Sequence, residues 1–243
     1  MEITSLTNAK VKQWVKYKEK KHREQDRVFM IEGEHLLKEA YQAGLIDCIL
    51  VEQGKEPLYY EFPIYVVTKE ILKKLSNSVS GTWIMALCHY PEEQHIVGDK
   101  VVLLDGVQDP GNVGTILRTA LSFSYDTVVL SNQSVDLYND KVIRSTQGAL
   151  FHLHVVRRDL KETIQELKEK GYTIYGTSLH EAKPLAEISS CERYALIMGN
   201  EGQGVSQEVL DLCDQNIYIE MDTFESLNVA VAAGICMYTL NQK

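Results

Sequence analysis

No apolar run in the 243 residues approaches the roughly 20 that a membrane span requires. The opening residues, MEITSLTNAKVKQW, lack the apolar core of a secretory signal. Cysteine is sparse. Five residues (Cys48, Cys88, Cys191, Cys213 and Cys236) are scattered, odd in number, and never form a CxxC pair. That usage argues against a disulfide framework or a zinc site, and for a reducing compartment. A cytoplasmic protein with no membrane segment and no metal is expected. Neither common phosphate fingerprint is present: the glycine-rich stretches match neither GxGxxG after a first strand nor GxxxxGKS/T. There is no internal repeat and no low-complexity segment. What the chain does have is 44% hydrophobic residues, enough for a sizeable core, and a length that suits one large or two small domains.

The net charge of −9 is unevenly spread. Residues 1–28 hold eight basic side chains against four acidic ones, so this stretch carries +4 and the remainder −13. A basic arm on an acidic body can grip phosphates locally. Lys10, Lys12, Lys16, Lys20 and Arg23 are the candidate phosphate contacts of a nucleic-acid partner. Trp14 or Tyr17 would either stack on a base or fill the core. The plainer meaning of such a run is a solvated helix face.

Helical and strand-like patterns alternate along the whole chain. Ser5 to Glu24 reads as one helix, followed by a strand at Phe29–Gly33 and a helix from Glu34 to Ala43 that Gly44 ends. Strands at 47–51, 64–67 and 82–88, with a helix at 69–75 capped by Thr68, complete a small α/β domain. The polar stretch Pro91 to His95 breaks the pattern and sets the boundary. The domains are therefore 1–94 and 95–243. In the second, strands near 101–104, 127–130, 153–156, 172–177, 194–198 and 216–219 alternate with helices. Repeated β–α alternation predicts a mostly parallel sheet covered on both faces.

Three segments carry the chemistry. The first is Asp105 to Ala120, DGVQDPGNVGTILRTA, read as strand end, turn-rich loop and a helix from Thr115. It sets Asn112 in the loop and Arg118 about one turn into the helix, at the carboxyl end of a strand where open α/β sheets bind ligands. The second, Ile197 to Gly204, is again strand followed by glycines. It is either a ligand loop with exposed backbone donors or a plain turn. The third, Ile219 to Gly234, has Ser226 where a loop becomes a helix, a plain N-cap or something more. The small residues after it suit close packing, within the chain or between subunits.

Together these segments resemble, in order, the three motifs of the SpoU (TrmH) family of RNA ribose 2′-O-methyltransferases in the SPOUT superfamily. The resemblance covers about residues 100–243. FMIEGEHLLKEA also resembles the substrate-binding domain that often precedes the catalytic one. The resemblance implies a C-terminal knotted domain, S-adenosylmethionine bound in the knot, and a homodimer. It implies cofactor contacts at Gly199, Ile219 and Leu227, with Thr177 a further candidate. It places Asn112, Arg118, Glu201, Ser226 and Asn228 at the family's polar active-site positions. The base role that the family gives its motif-one arginine is chemically awkward, because a guanidinium keeps its proton below pH ~12. Arg118 is therefore expected to hold a phosphate or polarise the 2′-oxygen, oriented by Asn112 and Ser226, with Glu201 pairing it or a neighbouring dipole. Ribosomal RNA is the expected substrate. The alternatives are transfer RNA, a module that binds RNA or the ribosome without catalysis, and a metabolic enzyme using another nucleotide.

Overall fold

The computed structural model describes residues 1–78, 81–92, 95–189, 191–222 and 226–242. The chain forms two compact units, Met1–Glu93 with Asp136–Phe151, and Gln94–Val135 with His152–Lys243.

The first unit contains β1 (Glu2–Ile3), α1 (Ala9–Lys16), α2 (Lys20–Asp26), β2 (Val28–Glu32) and α3 (Glu34–Gln42), then β3 (Ile46–Glu52), β4 (Ile64–Val67), α4 (Lys69–Leu75) and β5 (Ile84–His89). The sheet order is β1-β4-β3-β5-β2, with β5 antiparallel to both neighbours. The expected single helix over residues 5–24 is two. Tyr17, Lys18 and Glu19 donate to carbonyls three residues back, closing the first helix tightly. Tyr17 then turns inward, where its hydroxyl donates to Asp26 at 2.8 Å. Val11, Trp14 and Tyr17 share one buried cluster with Ile71, Leu72 and Leu75 of α4 and with Leu50 and Leu87 of the sheet. Apolar spacing of three and four residues on both helices makes that burial possible.

In the second unit β6 (Lys100–Asp105), α5 (Pro110–Ser122) and β7 (Thr127–Leu130) come first. The chain then supplies Asp136–Phe151, with α6 (Asp140–Thr146), to the first unit. Tyr138 lies 4.7 Å from Phe29 and 4.0 Å from Tyr90, ring centre to ring centre. Arg23 pairs there with Asp136. Local periodicity in residues 136–151 carries no sign of which unit receives them, so the sequence reading kept them with the second domain.

The second unit resumes with β8 (His154–Arg157), α7 (Leu160–Glu169), β9 (Thr173–Thr177), β10 (Lys183–Pro184), β11 (Tyr194–Gly199), α8 (Gln207–Leu210), β12 (Gln215–Tyr218) and α9 (Val229–Asn241). Its seven-stranded sheet has the order β10-β12-β9-β11-β6-β7-β8, parallel throughout. β6 and β11 lie inside the sheet, and their apolar runs are buried along almost their full length. Tyr125 and Tyr194 meet in this core, hydroxyl to hydroxyl at 2.8 Å. Among the described residues no helix is long and apolar enough to cross a membrane.

Candidate active site

Parallel register brings the chemistry-bearing segments to one end of the sheet. Gly199 at the end of β11 pairs with Asp105 at the end of β6, and Ile217 of β12 pairs with Thr177 at the end of β9. The chain leaves four neighbouring strands there, at the carboxyl edge where α/β sheets bind ligands.

α5 starts five residues earlier than its apolar spacing indicates. Asp109 caps it, its carboxylate accepting from the Asn112 N–H at 2.8 Å, and Pro110 occupies the first turn. A cap followed by proline opens a helix as well as it marks a turn, so the loop expected up to Gly114 is helical. Asn112 therefore sits in the first helical turn. Asn112, Thr115 and Arg118 follow an i, i+3 row that climbs about 9 Å along the axis.

Glu201 lies across the N-terminus of α5. Its carboxylate accepts from the N–H groups of Gln108 (3.2 Å) and Asp109 (3.0 Å) and from the Asn112 side-chain amide (3.0 Å). Partial burial works against the charge, but these hydrogen bonds outweigh it and hold the Glu201 carboxyl below the ordinary carboxylate range. The Asn112 carbonyl oxygen accepts from Asn228 at 2.9 Å. The Asn228 oxygen in turn accepts from the N–H groups of Ala230 and Val231, capping α9. One relay thus joins the second-segment loop to the starts of α5 and α9.

Other candidates fall outside that relay. Ser226 is exposed and is not the cap of α9, because Asn228 takes that position. Arg118 is exposed, and its side chain has no hydrogen bond or ion pair among the described residues. The expected orientation of Arg118 by Asn112 and Ser226 is absent, because Asn112 is committed to Glu201 and Asn228. Glu201 likewise spends its oxygens on α5 and not on Arg118, in keeping with the dipole alternative.

Two residues that the sequence reading missed hold the loops together. The Asn200 amide donates to the Gly106 carbonyl at 2.8 Å, and its oxygen accepts from Gly202 and Gln203. Asp105 accepts from the Ser206 N–H at 2.8 Å. Their signal was present, since short polar side chains in glycine-rich turns bind nearby backbone. Gly199 is fixed by packing: a Cβ there would lie 2.1 Å from backbone atoms of Gly204 and Val205. Thr177 spends its hydroxyl on the Ile197 carbonyl, leaving main chain as its remaining offering.

Exposed apolar side chains stand near these strand ends. Leu179, just after β9, is 55% exposed and Leu227 is 40% exposed, while Ile219 and Met221 after β12 are half-buried. Apolar side chains beside loop main chain suit a ligand with an aromatic base and a methionine-like chain, and S-adenosylmethionine fits that description. Between α5 and α9 lies an open groove of about 510 Å³ lined by Asn112, Thr115, Asn228, Val231, Ile235 and Tyr238.

On the first unit, Lys10, Lys12, Lys16 and Lys20 are exposed; Lys10 lies over the Tyr65 ring at 5.0 Å and Lys20 pairs with Glu24 at 3.5 Å. Arg23 is not: it is 6% exposed, donates to the Tyr17 carbonyl at 2.7 Å and pairs with Asp136. It was a candidate contact on charge alone. The break at Tyr17 rotates it inward, so Arg23 is a buried structural cation. Trp14 and Tyr17 are also buried, Trp14 edge-on to Tyr65 at 5.2 Å, which leaves neither face free for a base.

The fold and the strand-end cluster define an α/β methyltransferase of the SPOUT type. An S-adenosylmethionine-bound rRNA methyltransferase from Sinorhizobium meliloti superposes with a TM-score of 0.89, at 25% identity over 100% of this chain and 97% of that one. The model of the SpoU rRNA Methylase family matches residues 99–238, and that of an MRM3-like substrate binding domain matches residues 8–86. A 23S rRNA (guanosine(2553)-2′-O)-methyltransferase, RlmP, from Bacillus subtilis is 43% identical over 98% of each chain. A putative TrmH family tRNA/rRNA methyltransferase of Staphylococcus aureus is 37% identical over 88% of this chain and 96% of its own. The chain belongs to the SpoU rRNA methylase family.

Proposed function

We propose that the chain transfers a methyl group from S-adenosylmethionine to a ribose 2′-hydroxyl of 23S ribosomal RNA, as a cytoplasmic homodimer. The carrying observation is the relay Glu201–Asn112–Asn228, which ties all three family segments into one polar site and leaves the Arg118 side chain, on the same helix, without a partner among the described residues. Near full-length identity to a relative named for a 23S rRNA guanosine supports ribosomal RNA over transfer RNA. The equivalent guanosine is the first nucleotide to examine.

S-adenosylmethionine, when bound, supplies an electrophilic methyl on a sulfonium. Main chain at Gly199, Ile219 and Leu227, with Thr177 beside them, would hold it. Arg118 binds the RNA phosphate or polarises the 2′-oxygen, fixing the sugar for attack. The 2′-hydroxyl proton passes to water, since Glu201 is stabilised as its anion by the donors at the start of α5. Ser226, exposed two residues before the α9 cap, would contact the ribose or phosphate. Asn112, Glu201 and Asn228 set where α5 can present Arg118.

The dimer reading rests on α9. Val231, Ile235 and Tyr238, spaced i, i+4 and i+7, are 52%, 37% and 54% exposed. An apolar stripe of that kind beside a polar site suits an isologous interface.

The test uses purified protein with methyl-labelled S-adenosylmethionine and either protein-free 23S rRNA or bulk transfer RNA. Label in an alkali-resistant dinucleotide of 23S rRNA supports the proposal. Label confined to transfer RNA selects the alternative substrate. RNA binding with no transfer to either identifies a non-catalytic module.

A further inference from the structure

We infer that the lysines of α4 join those of α1 and α2 in one phosphate-binding face on the first unit, so that the RNA backbone crosses all three helices. The inference rests on the RNA substrate proposed above.

α1 and α4 share a buried cluster, Val11, Trp14 and Tyr17 against Ile71, Leu72 and Leu75, so their opposite faces are presented to solvent side by side. The Lys18 ammonium donates to the Ser76 carbonyl at 3.3 Å, fixing the end of α1 beside the end of α4. Lys12, Lys16, Lys21, Lys69, Lys73 and Lys74 are exposed, and none has an ion-pair partner among the described residues. Lys12 with Lys16 and Lys69 with Lys73 stand one turn apart, about 6 Å along each axis, where like charges repel. Residues 1–28 and 68–78 together hold eleven basic side chains against five acidic ones, on a chain whose net charge is −9.

Helix stability does not account for this placement. Lys73 and Lys74 in the last turn of α4 do suit its dipole. Lys69 opens α4 and Lys21 lies in the first turn of α2, where cations oppose the dipole, while Lys20 pairs with Glu24 at 3.5 Å. Neither α1 nor α2 has an acid in its first turn. A polyanion laid across the face offsets both the mutual repulsion and the unfavourable dipole placement.

The test is the salt dependence of binding to protein-free 23S rRNA by Lys69→Gln/Lys73→Gln/Lys74→Gln. Three lost phosphate contacts make the slope of log K against log salt shallower by about 2 to 3, and affinity falls at least tenfold at low salt. Glu70→Gln, which removes no lysine, has the opposite sign and tightens binding. Lys38→Gln/Lys55→Gln leaves the slope unchanged. An unchanged slope in the triple variant overturns the α4 face. An equal fall in the Lys38/Lys55 control assigns the effect to net charge and overturns it too. Failure of the unmodified protein to bind or methylate 23S rRNA overturns the substrate reading instead, which the same titration separates.

Discussion

At the residue scale the site turns on one carboxylate and one guanidinium. Glu201 is an acceptor for three donors at the start of α5, and only the ionised form satisfies all three. Its carboxyl is held low, so its contribution is fully present above the ordinary carboxylate range and is lost as pH falls through the lowered value. Any acid limb of the pH–rate profile that Glu201→Gln abolishes therefore lies below the ordinary carboxylate range. A Glu201-dependent limb near pH 6 would contradict the relay. Glu201→Gln points an N–H donor at backbone donors, and methyl transfer slows by about tenfold, a loss of ~1.4 kcal/mol at the transition state. Among the described residues the Arg118 side chain has no partner, so its substitution reports on substrate. Arg118→Lys keeps the charge and loses the planar fork. kcat falls by about 100-fold with S-adenosylmethionine affinity unchanged by calorimetry. Near-normal turnover would remove Arg118 from both roles given to it.

At the element scale, α5 shows what local pattern reveals and what it hides. The apolar residues Ile116, Leu117 and Ala120 announce a helix, and it is there. Its start was hidden because Asp-Pro-Gly-Asn serves turns and helix caps equally, and the choice depends on what meets the first N–H groups. Glu201, 92 residues away from Asp109, supplies that partner. Asp109→Ala removes the cap and costs about 1 kcal/mol in a urea titration, whereas Asp109→Asn, another good cap, recovers most of it. Transfer falls with Asp109→Ala beyond what stability explains, because Asn112 moves with the first turn. The start of α9 is the parallel case. Ser226 and Asn228 are both good caps by residue type, and the geometry selects Asn228, whose amide also reaches Asn112.

At the scale of the whole molecule, the second unit leaves its most exposed apolar helix next to the polar site. Ile235 lines the same groove as Asn112 and Asn228. Ile235→Asp places a charge in the stripe. It converts a dimer to a monomer in sedimentation equilibrium and abolishes transfer, with far-ultraviolet circular dichroism intact. A protein that is monomeric before substitution, yet active, would overturn the dimer reading. The first unit illustrates a different limit. Arg23 and Asp136 are 113 residues apart, and their pairing fixes a segment of the later sequence to the earlier fold.

The sequence by itself determined the alternation of strands and helices, the parallel character of the second sheet, and the three segments that carry the family resemblance. Those features follow from local spacing of apolar residues and from motifs contiguous in the chain. Tertiary structure decided which side chains of the segments touch. It made Glu201 a clasp on α5, Asn228 the cap of α9 and Asn200 the tie between two loops. It also took Arg23, Trp14 and Tyr17 out of the basic arm and set α4 beside it. Hydrogen bonds across about 90 to 115 residues depend on strand register and on where a helix begins, and neither is written in a local window.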